Sequence, residues 1–317
     1  MPEPPTLVSG SAEPAATPVP LRLDQYRDAV GLDSPGRPEF PTVDPERAAS
    51  ELVGLLLADP VLQPLAPGIA ARHGEAGDRA LLRALLTVRP PGPLPDGVEP
   101  LLDRLLTTEQ RGRPVTDPES LPSIREEFPG TSYPAADATS LWRGDITSLA
   151  ADAIVNAAND QLLGCFLPFH ACIDNVIHAV AGPQLREDCH TIVTLQDGRE
   201  PTGVAKITRG HHLPARYVLH TVGPIVADHD PSPAQAAQLA GCYRSCLDVA
   251  AEVDGVRTVA FCSISTGVFG YPKPAAASIA LSVVAEWIAA HPGRLDRIVF
   301  NVFSADDHAT YAAELSR

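Results

Sequence analysis

ADAIVNAAN, residues 151–159, decides how the chain is read. It is a compact apolar run, rich in small and β-branched residues, that ends in asparagine. Three other runs share its texture: ARYVLHTVGP (215–224), RTVAFCSIS (257–265) and DRIVFNVFS (296–304). Each opens into glycine, proline, serine or asparagine. Between them lie helical patterns, AAQLAGCYRSCLDVAAEV (236–253) and PAAASIALSVVAEWIAAH (274–291). Strands that alternate with helices predict an α/β layer fold with a mostly parallel or mixed central sheet. In such sheets ligands sit beyond the carboxyl ends of the strands, so the loops after these runs hold the residues of interest.

Upstream the texture changes. PERAASELVGLLLADP (45–60), DRALLRALLTVRP (78–90) and VEPLLDRLL (98–106) carry apolar residues at three- and four-residue spacing, which predicts short helices. PPGPLPDG (90–97) interrupts them and cannot be helical. Residues 1–20, rich in proline, alanine and glutamate, predict a mobile tail. The expected organisation is therefore a tail over 1–20, a helical extension over 21–135 and the α/β domain over 136–317.

The 317 residues carry a formal net charge of −15, which argues against sequence-independent binding to nucleic acid or anionic membranes. An anionic ligand would need local donors. No window is expected to reach the roughly 18 apolar residues of a membrane span, and the N-terminus lacks the basic and apolar regions of a signal peptide. A cytoplasmic location is the expectation, and the six cysteines then read as thiols or metal ligands instead of a disulfide framework.

Three loops follow expected strands: GDIT (Gly144–Thr147), NAAN (Asn156–Asn159) and SISTGVFGYP (Ser263–Pro272). The glycines of the third let backbone N–H groups approach an anion closely. With AGP (Ala181–Pro183) and HTVGP (His220–Pro224), these motifs occur in an order and spacing that resembles the macrodomain family over about residues 140–317. The resemblance implies a three-layer fold with a mixed central sheet between helices, and a cleft that binds ADP-ribose. It implies that Asp145 takes the adenine amino group with Ile146 beside it. Ser265, Thr266, Gly267, Val268, Phe269 and Gly270 would form the diphosphate loop, Phe303 would pack on the adenine, and Asn156 and Asn159 would approach the distal ribose. A carboxylate accepts from an amino group and backbone amides serve phosphates, so a net-acidic chain can bind such a dianion.

The segment NDQLLGCFLPFHACIDNVIH (159–178) departs from ordinary macrodomains. Asp174 and His178 keep the four-residue spacing of the hydrolytic MacroD-type branch, but its glycine run is replaced by CFLPFHAC. This C-x4-H-x-C pattern resembles the zinc-dependent bacterial branch, whose members also carry a helical N-terminal extension. Chemically, Cys165, His170, Cys172 and His178 offer thiolate and imidazole ligands suited to zinc. A catalytic zinc keeps three protein ligands. Cys165, His170 and Cys172 are the expected set, with His178 as the alternative ligand or as a neighbour that acts beside them.

The remaining candidates are read as structural. Cys189, Cys242, Cys246 and Cys262 are expected in the core, His211 and His212 on a solvated turn, and His220 as a hydrogen-bonded strand residue. The expected function is a zinc-dependent hydrolase that removes mono-ADP-ribose from proteins, with an ester to aspartate or glutamate as the implied bond. Asp174, Asn159 and His178 are its candidate catalytic residues. The resemblance also suggests a lipoyl-carrier protein, modified by a sirtuin-like transferase, as the substrate. The rival is a reader that binds ADP-ribose without turnover. In a third reading zinc only braces the loop, with four protein ligands.

Overall fold

A computed structural model describes residues 19–34, 36 and 40–316, so nearly all of the tail expected over 1–20 lies outside the described residues. Six strands form one sheet: β1 (Thr139–Arg143), β2 (Ala153–Ala158), β3 (Ala205–Arg209), β4 (Tyr217–Val222), β5 (Thr258–Phe261) and β6 (Arg297–Val302). Their order is β1-β6-β5-β2-β4-β3. All neighbours are parallel except β3, which runs antiparallel to β4 at one edge. The four runs singled out in the sequence are β2, β4, β5 and β6, and β4 is buried along its whole length, as a strand covered on both faces must be.

Helices flank the sheet. α6 (Ile173–Ala181) and α7 (Pro183–Gln196) pack on each other and on β2 and β3. α8 (Pro233–Ala251), α9 (Lys273–Ala290) and α10 (Ala305–Leu315) pack side by side. α8 and α10 begin at Ser232 and Ser304, each in a capping box that satisfies otherwise orphaned backbone donors. α9 corrects one expectation: its alanine-rich 18 residues are long and apolar enough to cross a membrane. Here it lies between α8 and α10, with Ala276, Ala280, Val284 and Trp287 buried in the core.

The N-terminal helices are α1 (Pro45–Leu57), α2 (Ala66–His73), α3 (Asp78–Val88) and α4 (Val98–Arg111), followed by the single turn α5 (Ile124–Glu127). α1 to α4 enclose a core of their own, built around Leu52, Leu56, Leu82, Leu85, Leu102 and Leu105. The boundary expected at 21–135 is not where the cores divide. Leu23, Tyr26, Val30 and Leu32 before this unit, and Ile124, Tyr133 and Ala136 after it, belong to the core of the sheet. Tyr26 shows why, since its hydroxyl accepts from Ile207 N on the edge strand β3 at 2.9 Å and covers a donor that would otherwise be exposed.

Candidate active site

β1, β6, β5 and β2 are neighbours and parallel, so the loops after them lie side by side at one end of the sheet. After β1, Gly144 N donates to Val302 O at 3.0 Å and Asn301 Nδ2 donates to Gly144 O at 2.9 Å, which fixes the start of GDIT. Asp145 is exposed, and one of its oxygens caps the turn Ile146–Ser148 by accepting from Thr147 N at 2.9 Å. Its other oxygen remains for a ligand, while Ile146 is buried beneath.

After β5, the loop 263–272 is closed by Tyr271 N donating to Ser265 O at 2.9 Å and Gly270 N to Gly267 O at 3.0 Å. Among the described residues nothing accepts from the backbone N–H groups of Gly267, Val268 and Phe269, so three donors lie together on an exposed loop. Gly270 is required: its φ is +70°, and a Cβ there would lie 2.6 Å from Val226 O. Ser265 is buried and Thr266 Oγ1 donates to Ser263 O at 2.9 Å, so both shape the loop. After β6, Phe303 is 81% exposed. Among the described residues no other aromatic ring packs on it, so its face is open to a planar partner.

NAAN divides into two roles. Asn159 is half-buried and donates to Gly164 O at 3.0 Å and to Asp174 Oδ2 at 3.4 Å. Asn156, expected to approach the ribose, is fully buried instead. Its amide donates inward, to Asp174 Oδ1 at 2.8 Å and to His220 Nδ1 at 3.2 Å. Thr208 on the edge strand completes the chain, its Oγ1 2.9 Å from His220 Nε2. Burial drives the imidazole pKa down to about 3, so it stays neutral and keeps the lone pair that accepts from Asn156.

Asp174 stands on the first turn of α6 and is 5% exposed. Burial pushes its carboxyl up to about 6, against the hydrogen bond from Asn156 and the charge of Arg186. That is near the value suited to a general base at neutral pH. His178, one turn on, has Nε2 3.5 Å from Asp174 Oδ1, yet neither ring nitrogen makes a hydrogen bond. Burial holds its pKa well below the ordinary value, with Arg186 and His220 adding repulsion, so the contact is between a neutral ring and a carboxyl and is no ion pair.

Cys165, His170 and Cys172 come together at the mouth of this loop, their ligand atoms all within 4.8 Å of one another and each residue half-buried. Cys165 Sγ lies 3.5 Å from His170 Nδ1. A tetrahedral zinc with bonds of about 2.0–2.3 Å sets its ligand atoms about 3.5–3.8 Å apart, so this donor set fits with small adjustments. The chemistry fits as well. Burial pushes the Cys172 thiol up to about 12, with Cys165 and Asp174 opposing a second negative charge, and a divalent cation reverses that balance. His178 does not join this group. It lies with Cys189 and His220 in a second cluster, fully inside the protein, where both nitrogens of His220 already have partners.

The cysteines read as structural are buried, Cys242 and Cys246 on α8. His211 and His212 are not on a solvated turn. His212 is buried against Asp103 of α4 at 2.8 Å, and His211 is nearly so, against Asp188 at 2.7 Å. Sequence reading missed Arg186, whose guanidinium is buried beside the site and ties the loop to the N-terminal unit. An arginine within a polar helical pattern gave no signal of this.

The chain matches the Macro domain over residues 155–280. It is 44% identical over 244 residues to a protein-ADP-ribose hydrolase of Treponema medium, covering 77% of this chain and 90% of the relative. A protein-ADP-ribose hydrolase of Staphylococcus aureus is 42% identical over 237 residues, covering 75% and 84%. Among solved structures, the Trypanosoma brucei macrodomain in complex with ADP-ribose superposes with a TM-score of 0.54 at 35% identity, covering 70% of this chain and 91% of that one. The sheet with its flanking helices, the loops gathered at its carboxyl end and these likenesses together place the chain in the macrodomain family.

Proposed function

We propose that this chain hydrolyses the bond between ADP-ribose and a modified protein, with Cys165, His170 and Cys172 holding a zinc ion beside the bond that breaks. The observation that carries the reading is one of position. The three-residue ligand group ends two residues before Asp174, and Asn159 bridges Asp174 to the same loop through Gly164 O. A module that only reads ADP-ribose needs the exposed amides of 267–269 and Asp145 but has no use for this group. The grouping of three protein donors, with His178 turned elsewhere, also favours a catalytic over a bracing metal, since bracing sites are closed by four.

ADP-ribose enters over Phe303 and Asp145, with its diphosphate on the amides of Gly267, Val268 and Phe269, and its distal ribose reaches Asn159 and Asp174. There Asp174 accepts a proton from water as the water oxygen bonds to ribose C1″ and the acceptor oxygen departs. With an aspartate or glutamate ester the leaving carboxylate needs no proton, which fits a site with one base and no free acid. Asn156 and His220 hold the carboxyl from below; His178, neutral and buried, borders it. A zinc ion held by Cys165, His170 and Cys172 would supply Lewis-acid stabilisation of an oxygen that gains charge. The resemblance extends the substrate to a lipoyl-carrier protein modified by a sirtuin-like transferase, in the cytoplasm.

The test is to measure ADP-ribose binding and ADP-ribose release from a mono-ADP-ribosylated protein, side by side, for wild type and Asp174→Asn. Turnover in wild type, lost by at least about a hundredfold in the variant with binding retained, supports the hydrolase. Tight binding without turnover in wild type makes the chain a reader.

A further inference from the structure

The loop that carries the ligand group is held from outside the macrodomain. Cys165 is followed by Phe166 and His170 is preceded by Phe169, so two of the three donors have an aromatic neighbour in the chain. Each ring faces an arginine. The guanidinium of Arg186 lies 4.7 Å from the Phe166 ring centre, and that of Arg83, on α3, lies 5.4 Å from the Phe169 ring centre. The ring of His73, at the end of α2, lies 5.1 Å from the Phe169 ring centre.

Arg186 joins the same two parts of the protein. Its Nε donates to Leu163 O at the start of the loop at 2.8 Å, and its Nη1 donates to Leu86 O and Arg89 O of the N-terminal unit at 2.9 and 2.6 Å. Glu187 beside it accepts from Gly92 N at 2.7 Å. Arg83, by contrast, has no carboxylate partner among the described residues, and its buried Nε makes no hydrogen bond. Its guanidinium instead lies over the Phe169 face. Phe169 holds a φ of +58°, a conformation that a bulky residue adopts only when its surroundings fix it.

We infer that the α1–α4 unit acts as a clamp on the metal loop, with Arg83 and His73 as positioning residues that act on His170 through Phe169. This deepens the metal reading and rests on it. A loop already ordered with its donors converged binds metal more tightly and releases it more slowly, because ordering is complete before the ion arrives. Loosening the Phe169 contact lets the loop open and gives His170 a route away from the ion.

The experiment compares full-length wild type with Arg83→Met, which keeps the aliphatic stem but removes the cation, and with the double variant His73→Ala/Arg83→Met. Arg72→Met, on the same unit but bonded to its own helix through Gly68 O, is the control. Zinc transfer to a chromogenic chelator is expected to speed up by about tenfold in the double variant, equivalent to about 1.4 kcal/mol. Arg83→Met should fall between, with melting temperature and ADP-ribose affinity unchanged. Release within twofold of wild type in both variants overturns the clamp. If wild type holds no zinc, the metal reading fails separately, and amide hydrogen exchange over 164–172 decides the clamp: faster exchange in the variants upholds it, and equal protection overturns it.

Discussion

Asn156 Nδ2 lies 2.8 Å from Asp174 Oδ1, and the asparagine is fully buried. The orientation of this amide is set by its other partner, His220 Nδ1 at 3.2 Å, which as a neutral acceptor requires a donor. An asparagine expected at the ribose thus serves the Asp174 carboxyl instead. Asn156→Ala should lower turnover by at least about tenfold and destabilise the fold by about 1–3 kcal/mol, the range for leaving a buried partner unsatisfied. ADP-ribose affinity, measured by calorimetry, should change little. A large loss of affinity with turnover intact would contradict this placement.

His220 makes stability depend on pH. Its folded-state pKa is about 3 and its unfolded value about 6.5, so between them the unfolded chain binds more protons and stability falls as pH drops. Above about 6.5 the effect vanishes. At pH 5 it amounts to about 2 kcal/mol. Denaturant unfolding at pH 7 and pH 5 should show a loss smaller by about that amount in His220→Gln than in wild type. An equal loss in both would show that the ring titrates normally.

The loop 263–272 gives a steric prediction. A methyl group at Gly270 would meet Val226 O, and the backbone there has a φ of +70°. Gly270→Ala should weaken ADP-ribose binding by about tenfold or more and cost about 1–2 kcal/mol of stability. Unchanged affinity would mean that the loop is not the phosphate site.

Phe303 separates binding from folding. With 81% exposure it contributes little to the core, so Phe303→Ala should leave the melting temperature nearly unchanged. Loss of a base-stacking face should cost about 1–3 kcal/mol of ADP-ribose affinity. A drop in stability without loss of affinity would place the ring in packing.

Cys165 and Cys172 stand close enough to pair once oxidised. Mild peroxide should release zinc and stop turnover together, and thiol plus zinc should restore both. Zinc content and turnover that survive peroxide would contradict a thiolate-held metal.

The parts legible in the sequence are those whose physics is local. β2, β4, β5 and β6 are mostly apolar, β-branched-rich runs, and the Cys165–His170–Cys172 group sits within one short loop. β3 was not legible, because AKITR begins with Ala205 and Lys206, and only the fold supplies Glu200, 2.7 Å away in the interior, as the lysine's partner. The burial of His211 and His212 depends in the same way on Asp188 and Asp103, from α7 and α4. The division of NAAN into an inward and an outward asparagine depends on Asp174 of α6 and His220 of β4 both reaching Asn156 on β2. Likewise the segment 21–32 joins the main core only because the edge of β3 needs a cover.

If a metal held by Cys165, His170 and Cys172 works beside Asp174, metal and turnover should be lost together. The zinc content of purified full-length protein, wild type and Cys172→Ala, measured together with ADP-ribose release from a mono-ADP-ribosylated protein, decides this. Wild type should hold a single zinc per chain, lost together with turnover in the variant. Turnover by a wild-type protein that contains no zinc, or by Cys172→Ala at the wild-type rate, would contradict that coupling.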